Sequence, residues 1–284
     1  MGLAATGLLV VLTLYWFGRT EKKSESTLPS LPSISLKAFD IQSVKDSLIA
    51  VLPATDKQWY DSLQTSISNK SSQSERASLA LEMINRLQKT SKADPLLTAY
   101  WASEAIKLDN SQKNLTFASQ LMLTLLRSEH DDRRLDWLTS QAISSFEQAI
   151  ANDSTNEDLK IGLGSCYLFG RGRHGDPQET MKGIQQLLGV VRRDSTNMKA
   201  QLMLGIGGLI SGQNEKAIAR LNKVVQQQPD NIEAVAFLAD AYTAVGDNTQ
   251  AIRCYEVSKR LVNNPEYSRE VDERIQQLNQ NRKP

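Results

Sequence analysis

The chain has 284 residues, with 33 Lys and Arg against 32 Asp and Glu, and a formal net charge of +1. This balance gives no long-range attraction for nucleic acid, so no nucleic-acid partner is predicted. Two cysteines and two histidines are too few for a disulfide scaffold or a cysteine-rich zinc site. Two histidines also leave few candidates for the histidine of a catalytic triad. The composition therefore predicts no catalytic site, no cofactor and no metal, and favours a protein that is not an enzyme.

The first eighteen residues carry no charged side chain and read MGLAATGLLVVLTLYWFG. As a helix they would be about 27 Å long, close to the thickness of a bilayer core. The run ends in Tyr15, Trp16 and Phe17, which suit the membrane interface. These features predict a single-pass transmembrane anchor over residues 1–18. The alternatives are a buried helix and a cleaved signal peptide. Against the signal peptide, aromatic residues stand where cleavage needs small ones, and no charged segment precedes the run.

Basic residues follow the apolar run at Arg19, Lys22 and Lys23. The positive-inside rule then predicts a cytoplasmic (inner) membrane protein whose body faces the cytoplasm. The charge difference between the two ends of the run is only three basic residues against one amino group. A body in the periplasm or outside the cell therefore remains an alternative. An apolar run that begins at residue 2 also suggests a start further upstream, and basic residues there would reverse the orientation.

A spacer and then helices follow the apolar run. Residues 19–37 are rich in serine and contain two prolines, which predicts a solvated linker. From residue 38 on, apolar residues recur every three or four positions, which is the helical period. Asp94 and Asp176 each precede a proline, and an N-cap followed by proline starts a helix well. Since no alternating strand pattern is found, the predicted fold class is all-α.

An internal repeat is the most informative feature of the sequence. The string DSTN at 153–156 recurs at 194–197, and Asn231 stands at the matching place of a third unit. The spacing between first helices is 41 and then 34 residues, whereas equivalent second-helix positions are always 34 apart. The extra seven residues therefore fall between two helices, within 170–177. The second-helix positions are Gly183, Ala217 and Ala251, and likewise Leu187, Leu221 and Tyr255.

A helix–turn–helix unit of 34 residues with this pattern resembles the tetratricopeptide repeat (TPR). The resemblance implies a right-handed TPR-type α-solenoid, here preceded by the N-terminal transmembrane helix. The sequence departs from the family pattern because no Trp stands at the first signature position, and Gly208 replaces the usual Tyr. The last unit matches best, with Leu238, Ala239, Tyr242, Gly246, Ala251 and Tyr255 on signature positions.

The resemblance divides the chain into regions. Residues 38–73 form a helical N-terminal cap, residues 74–156 hold degenerate TPR-like helices, and residues 266–284 form a C-terminal capping helix. One helix pair cannot bury its own apolar face, so stacked units share a continuous core. Residues 157–264 hold three TPR units, approximately 157–197, 198–231 and 232–265.

In TPR arrays the first helix of each unit lines a concave face. The groove implied here is apolar in its middle and acidic at its C-terminal end, which suits an amphipathic helix or an extended apolar segment. The family's clamp for acidic peptide tails uses Lys, Asn and Arg, and only Lys199 matches, so no clamp is expected. The alternative is that earlier helices of the chain cover the groove. The predicted groove residues are Ile161, Ser165, Leu168, Phe169, Lys199, Leu202, Ile206, Leu209, Ile210, Glu233 and Asp240.

Other candidate chemistry has simpler interpretations. The basic, glycine-rich residues 171–175 lack the spacing of a phosphate-binding loop and predict a solvated turn. Beside His130, either Asp131 or Asp132 is better explained as a helix N-cap than as a metal ligand. Cys166 and Cys254 are predicted to be small buried residues rather than nucleophiles.

The resulting functional prediction is a non-catalytic interaction scaffold. It is anchored to a membrane and binds polypeptide partners through the apolar concave groove. The alternative is an accessory subunit of a membrane-bound biogenesis or envelope enzyme complex that docks a substrate polypeptide. A hydrolase with an unrecognised site is disfavoured because no motif set for it is found.

Overall fold

Thirteen α-helices and one short 3-10 helix, Arg171–His174, make up residues 39–280, which are the residues that the computed structural model describes. No strand occurs among them. The helices are α1 (Ile41–Ala50), α2 (Ala54–Asn69), α3 (Gln73–Lys89), α4 (Pro95–Leu108), α5 (Gln112–Ser128), α6 (Asp132–Asn152), α7 (Glu157–Phe169), α8 (Pro177–Arg193), α9 (Met198–Ile210), α10 (Asn214–Gln227), α11 (Ile232–Ala244), α12 (Asn248–Val262) and α13 (Pro265–Gln280).

The predicted anchor at 1–18 and linker at 19–37 lie outside the described residues. Within 39–280, no helix combines the length and the apolar character that a membrane crossing needs.

The helices pack as consecutive pairs. From α3 to α11, each odd-numbered helix packs most extensively on the helix that follows it, and each pair then packs on the first helix of the next. The first helices α5, α7, α9 and α11 also contact one another in order. They therefore line one face of the array, as in a solenoid whose units contact their neighbours. The helix α13 follows α12 at the end of this array and packs on it.

The repeated asparagine explains how each of three first helices begins. Asn156, Asn197 and Asn231 are the N-caps of α7, α9 and α11, and each side-chain oxygen accepts a hydrogen bond from the N–H three residues further on. A capping side chain satisfies a backbone donor that the helix leaves unpaired. The repeat in sequence is thus a repeat of helix starts.

The aspartate of each DSTN string organises the turn between units. Asp153 and Asp194 end one helix, and the carboxylate of each accepts hydrogen bonds from the backbone N–H and the hydroxyl of Thr155 or Thr196. The hydroxyl hydrogen bond contributes most to holding the pKa of both carboxyl groups below the ordinary value.

Glycines bring the two helices of a pair close together. A Cβ atom on Gly164 would lie 2.8 Å from Cγ of Leu187, and one on Gly205 would lie 2.6 Å from Cγ of Leu221. Both leucines are fully buried. Since neighbouring leucine side chains already occupy that space, the close approach of first and second helices depends on these glycines.

A buried hydrogen bond connects the N-terminal helices with the array. Tyr60 of α2 and Trp101 of α4 lie in one apolar cluster, and the Trp101 indole N–H donates a hydrogen bond of 3.0 Å to the Tyr60 hydroxyl. Burial raises the pKa of Tyr60 to about 12. This contact holds α2 against α4, the second helix of the first pair.

Candidate functional site

A cavity of about 300 Å³ opens on the face that the first helices line. Its walls come from α5, α6, α7, α9 and α11, so four consecutive helix pairs contribute to it and no single unit could form it. The residues lining it are Gln120, Leu123, Arg127, Phe146, Asp158, Ile161, Gly162, Ser165, Lys199, Leu202, Met203 and Glu233.

The cavity has an apolar floor and a charged rim. Phe146, Ile161 and Leu202 are buried at its base. The charged side chains that line it are partly exposed to solvent. Binding sites of this size are typically apolar with a few polar groups that fix orientation. The cavity can therefore accept a bulky apolar side chain whose neighbours meet the polar rim.

Two ion pairs cross the first helices at the rim. The Lys199 ammonium of α9 lies 3.0 Å from the Asp158 carboxylate of α7. Arg127 of α5 pairs with Glu233 of α11. The four charges therefore cancel in pairs, and the rim has no net charge.

Arg127 makes a further contact beside its ion pair. Its guanidinium carbon lies 4.5 Å from the ring centroid of Phe169, within the range of a cation–π interaction. The side chain is therefore held by an aromatic face of α7 as well as by the carboxylate of α11.

The structure brings five of the predicted groove residues together in this cavity, and Phe169 stands beside it under Arg127. The five residues are Ile161, Ser165, Lys199, Leu202 and Glu233. They come from three different units, as the resemblance implies. Partner binding by these residues stays a prediction.

Two predicted groove residues belong to the interior instead, and a third, Leu209, is half-buried beside them. Leu168 is 0% exposed and Ile206 is 2% exposed, and both lie in the apolar core of the C-terminal half with Leu209 packed against them. The glycines on either side explain the burial of Leu168. Cβ atoms on Gly183 and Gly207 would lie 3.0 and 3.3 Å from it, so both backbones cover its side chain. In this arrangement a partner has no access to Leu168 or Ile206.

Ile210 faces a different surface from the rest of the predicted groove. It lines a separate cavity of about 340 Å³ together with Met181 and Ile184 of α8, and with Gly175 at the end of the inserted turn. The inserted residues therefore form one wall of a second, lateral cleft rather than part of the concave cavity.

Asp240 lies at the C-terminal end of the array, where its charge is compensated. The Tyr255 hydroxyl donates a hydrogen bond of 2.6 Å to the Asp240 carboxylate, and the Arg274 guanidinium of α13 lies 3.4 Å away. Burial, together with the hydrogen bond to Asp240, raises the pKa of Tyr255. The charge at the predicted acidic end of the groove is thus compensated by α13, while the Asp240 side chain stays 40% exposed.

The sequence prediction missed the contribution of α5. Gln120, Leu123 and Arg127 supply one wall of the cavity, but they lie in the region where the repeat is degenerate. The helical period of this segment is readable, whereas no signature residue fixes which positions face the groove. The order of the first helices along the array identifies them.

The remaining candidates have structural roles. Asp131 is the N-cap of α6, and its carboxylate accepts hydrogen bonds of 3.0 Å from the backbone N–H groups of Arg133 and Arg134, so this interpretation is confirmed. Both hydrogen bonds lower the pKa of Asp131, and the bond from the Arg134 N–H contributes most. Between residues 39 and 280 no group of three or more potential ligands could hold a metal ion.

Both cysteines sit in helices, and the predicted burial is confirmed for Cys166 but only in part for Cys254. Cys166 is fully buried and Cys254 is half-buried. Burial raises the pKa of both thiols, which disfavours the reactive thiolate.

Comparison with known proteins agrees with this architecture. Residues 209–269 match the family model for the tetratricopeptide repeat. No curated protein matches the sequence. The solved structure of TTC0263, a thermophilic TPR protein of Thermus thermophilus, is 15% identical with a TM-score of 0.51, covering 72% of this chain and 98% of that one. At this identity the likeness shows the fold alone, which is a TPR-type solenoid.

Two other similar structures have lower TM-scores. YrrB, described as a TPR protein with an unusual peptide-binding site, is 14% identical with a TM-score of 0.45, covering 74% of this chain and 97% of that one. MamA from Desulfovibrio magneticus RS-1 is 16% identical with a TM-score of 0.47, covering 66% of this chain and 95% of that one. The repeat match over residues 209–269 and the structure of TTC0263 therefore agree on a TPR-type fold.

Proposed function

We propose that this chain is a non-catalytic protein-interaction scaffold that binds a polypeptide through the concave cavity. The observation that carries the proposal is a cavity of about 300 Å³ with a buried apolar floor and charged side chains around it. TPR-type solenoids present such concave surfaces to partners. The fold and the repeat match support an interaction scaffold in general, and the cavity supports placing the binding site on the concave face.

The proposed ligand is a helix or an extended segment with one bulky apolar side chain that enters the cavity. The floor residues Ile161 and Leu202 would contact that side chain, with the buried Phe146 packed beneath them. Flanking polar groups of the ligand would meet Asp158 and Lys199 at the rim. Burial of one large apolar side chain contributes about 1.5–3 kcal/mol, so partners with several such contacts bind more tightly.

Membrane attachment through residues 1–18 is part of the proposal. The uncharged run with its terminal aromatic residues supports a single-pass anchor in the cytoplasmic membrane. The three basic residues that follow favour a body on the cytoplasmic side. We expect the full chain to stay in the membrane fraction after alkaline carbonate washing, and a chain lacking residues 1–18 to be released. Release of both would exclude the anchor.

A photo-crosslinking residue at Gln120 tests the binding site. Gln120 is exposed and lines the cavity, whereas Gln186 is exposed on the second helix α8 and serves as the control position. We expect adducts to another protein from position 120 and none from position 186, and loss of the adducts in Leu123→Asp. Adducts confined to the chain itself, or equal adducts from both positions, would contradict the proposal. A fixed one-to-one complex would instead favour an accessory subunit.

A further inference from the structure

One ion pair connects parts of the solenoid that its regular packing leaves apart. Arg127 and Glu233 are 106 positions apart in sequence, on α5 and α11. Two other first helices, α7 and α9, lie between these in the order of the array. Since units of a solenoid mainly contact their nearest neighbours, a contact that skips two first helices reports the curvature of the whole concave face.

The arginine of this pair is held in position by the intervening helix. Its guanidinium lies 4.5 Å from the ring centroid of Phe169 on α7. A planar guanidinium that stacks on an aromatic ring can still pair with a carboxylate at its edge. Arg127 therefore links α5, α7 and α11 at once, and we call the Arg127–Glu233 pair the cross-groove salt bridge.

The cross-groove salt bridge lies at the entrance of the cavity. Both side chains line the cavity, and they are 40% and 32% exposed, whereas Phe146 at its base is buried. The pair between Lys199 and Asp158 differs, because it joins α7 and α9, which are adjacent first helices that already pack on each other. The pair between α5 and α11 spans two intervening first helices, so the distance between its two partners depends more strongly on the curvature of the concave face.

We propose that the cross-groove salt bridge closes the concave face over the cavity and that a partner enters when it opens. The inference rests on the proposed function, since it concerns the regulation of that same site. A partly exposed ion pair is weak and is screened by salt, so opening needs little free energy. Access to the cavity is therefore expected to increase with ionic strength and with loss of either charge.

The distance between α5 and α11 tests closure without any partner. The exposed residues Thr124 and Thr243 are each replaced by cysteine and spin-labelled. The protein also carries Cys254→Ser, so that the half-buried native cysteine is not labelled. We expect Glu233→Gln, or 1 M NaCl, to lengthen and broaden the label–label distance distribution. Glu82→Gln is the matched control, because Glu82 pairs with Arg86 within one helix and cannot affect the spacing of units. An unchanged distribution in Glu233→Gln and in salt would overturn the inference.

Partner capture tests whether closure limits access. With the crosslinker at position 120, we expect both Arg127→Gln and Glu233→Gln to raise adduct yield at low salt by about two- to five-fold. Opposite effects of the two variants would mean that one side chain contacts the partner directly, and would overturn the gating role. A longer distance with unchanged yield would also overturn it. No adducts in any variant would refute the proposed function, while the distance measurement would still decide closure.

Discussion

The hydroxyl of Tyr60 accepts a hydrogen bond of 3.0 Å from the indole N–H of Trp101, and both rings are buried between α2 and α4. Because the donor and acceptor are removed from water together, each depends on the other to stay satisfied. The same two rings meet edge to face at 6.2 Å, so the polar contact and the aromatic contact act at one point. The docking of the N-terminal helices on the array therefore depends strongly on this pair.

Tyr60→Phe tests that docking. The change keeps the ring but leaves the Trp101 indole N–H without its partner, so we expect a loss of about 1–3 kcal/mol in the free energy of unfolding. Urea unfolding followed by Trp fluorescence and circular dichroism measures it. Tyr242→Phe is the control, since its half-buried hydroxyl bonds to the Asn222 side chain near solvent. Equal effects of the two changes would contradict the role assigned to Tyr60.

Gly205→Ala tests the close approach of α9 and α10. A Cβ atom there would lie 2.6 Å from Leu221, and overpacking of this kind costs about 1–3 kcal/mol. The better helix propensity of alanine, worth about 1 kcal/mol, offsets only part of this. Gly189 of α8 is the control, because a Cβ atom there meets no atom within 4 Å. Gly189→Ala should stabilise the protein, and the same sign for both changes would refute the packing argument.

The acid sensitivity of the turns is a third prediction. The pKa of Asp194 is lowered in the folded protein, so its ionised form contributes stability that is present above the unfolded-state pKa, near 3.8. That contribution is lost as the pH falls through the lower folded-state value. We expect Asp194→Asn to show a smaller drop in the urea midpoint between pH 7 and pH 3 than the parent protein. A drop of equal size in both would contradict the hydrogen bonding assigned to Asp194.

Thiol reactivity is a fourth prediction. Cys166 is 0% exposed and burial raises its pKa, so in a Cys254→Ser protein we expect no reaction with Ellman's reagent at pH 8 until denaturant is added. In the converse Cys166→Ser protein, the half-buried Cys254 should react slowly without denaturant. Rapid labelling of native Cys166 would show that α7 opens locally.

The helix pairs between 157 and 262 could be predicted because their local signals are strong. Asn156, Asn197 and Asn231 start three helices at equivalent points, and the small residues that follow mark where each pair comes into contact. Such signals depend on residues close in sequence, so one chain is enough to read them. The all-helical class followed from the same periodicity.

The groove was harder to predict because it depends on how units rotate against each other. Leu168 occupies a groove position by its place in the repeat, but close backbones at Gly183 and Gly207 cover it. Arg127 lies in a unit without signature residues, yet it reaches Glu233 across two intervening first helices. Neither outcome follows from local spacing, since each is set by contacts between units.

The helix α13 occupies the place that the first helix of another unit would take against α12. Its Val271 and Leu278 are buried, and its Arg274 pairs with Asp240 on the last first helix, α11. The apolar edge of α12 that another repeat would pack against is therefore occupied by α13. Extra repeats grafted directly onto α12 would compete with α13 for that face, so such a graft would have to replace α13.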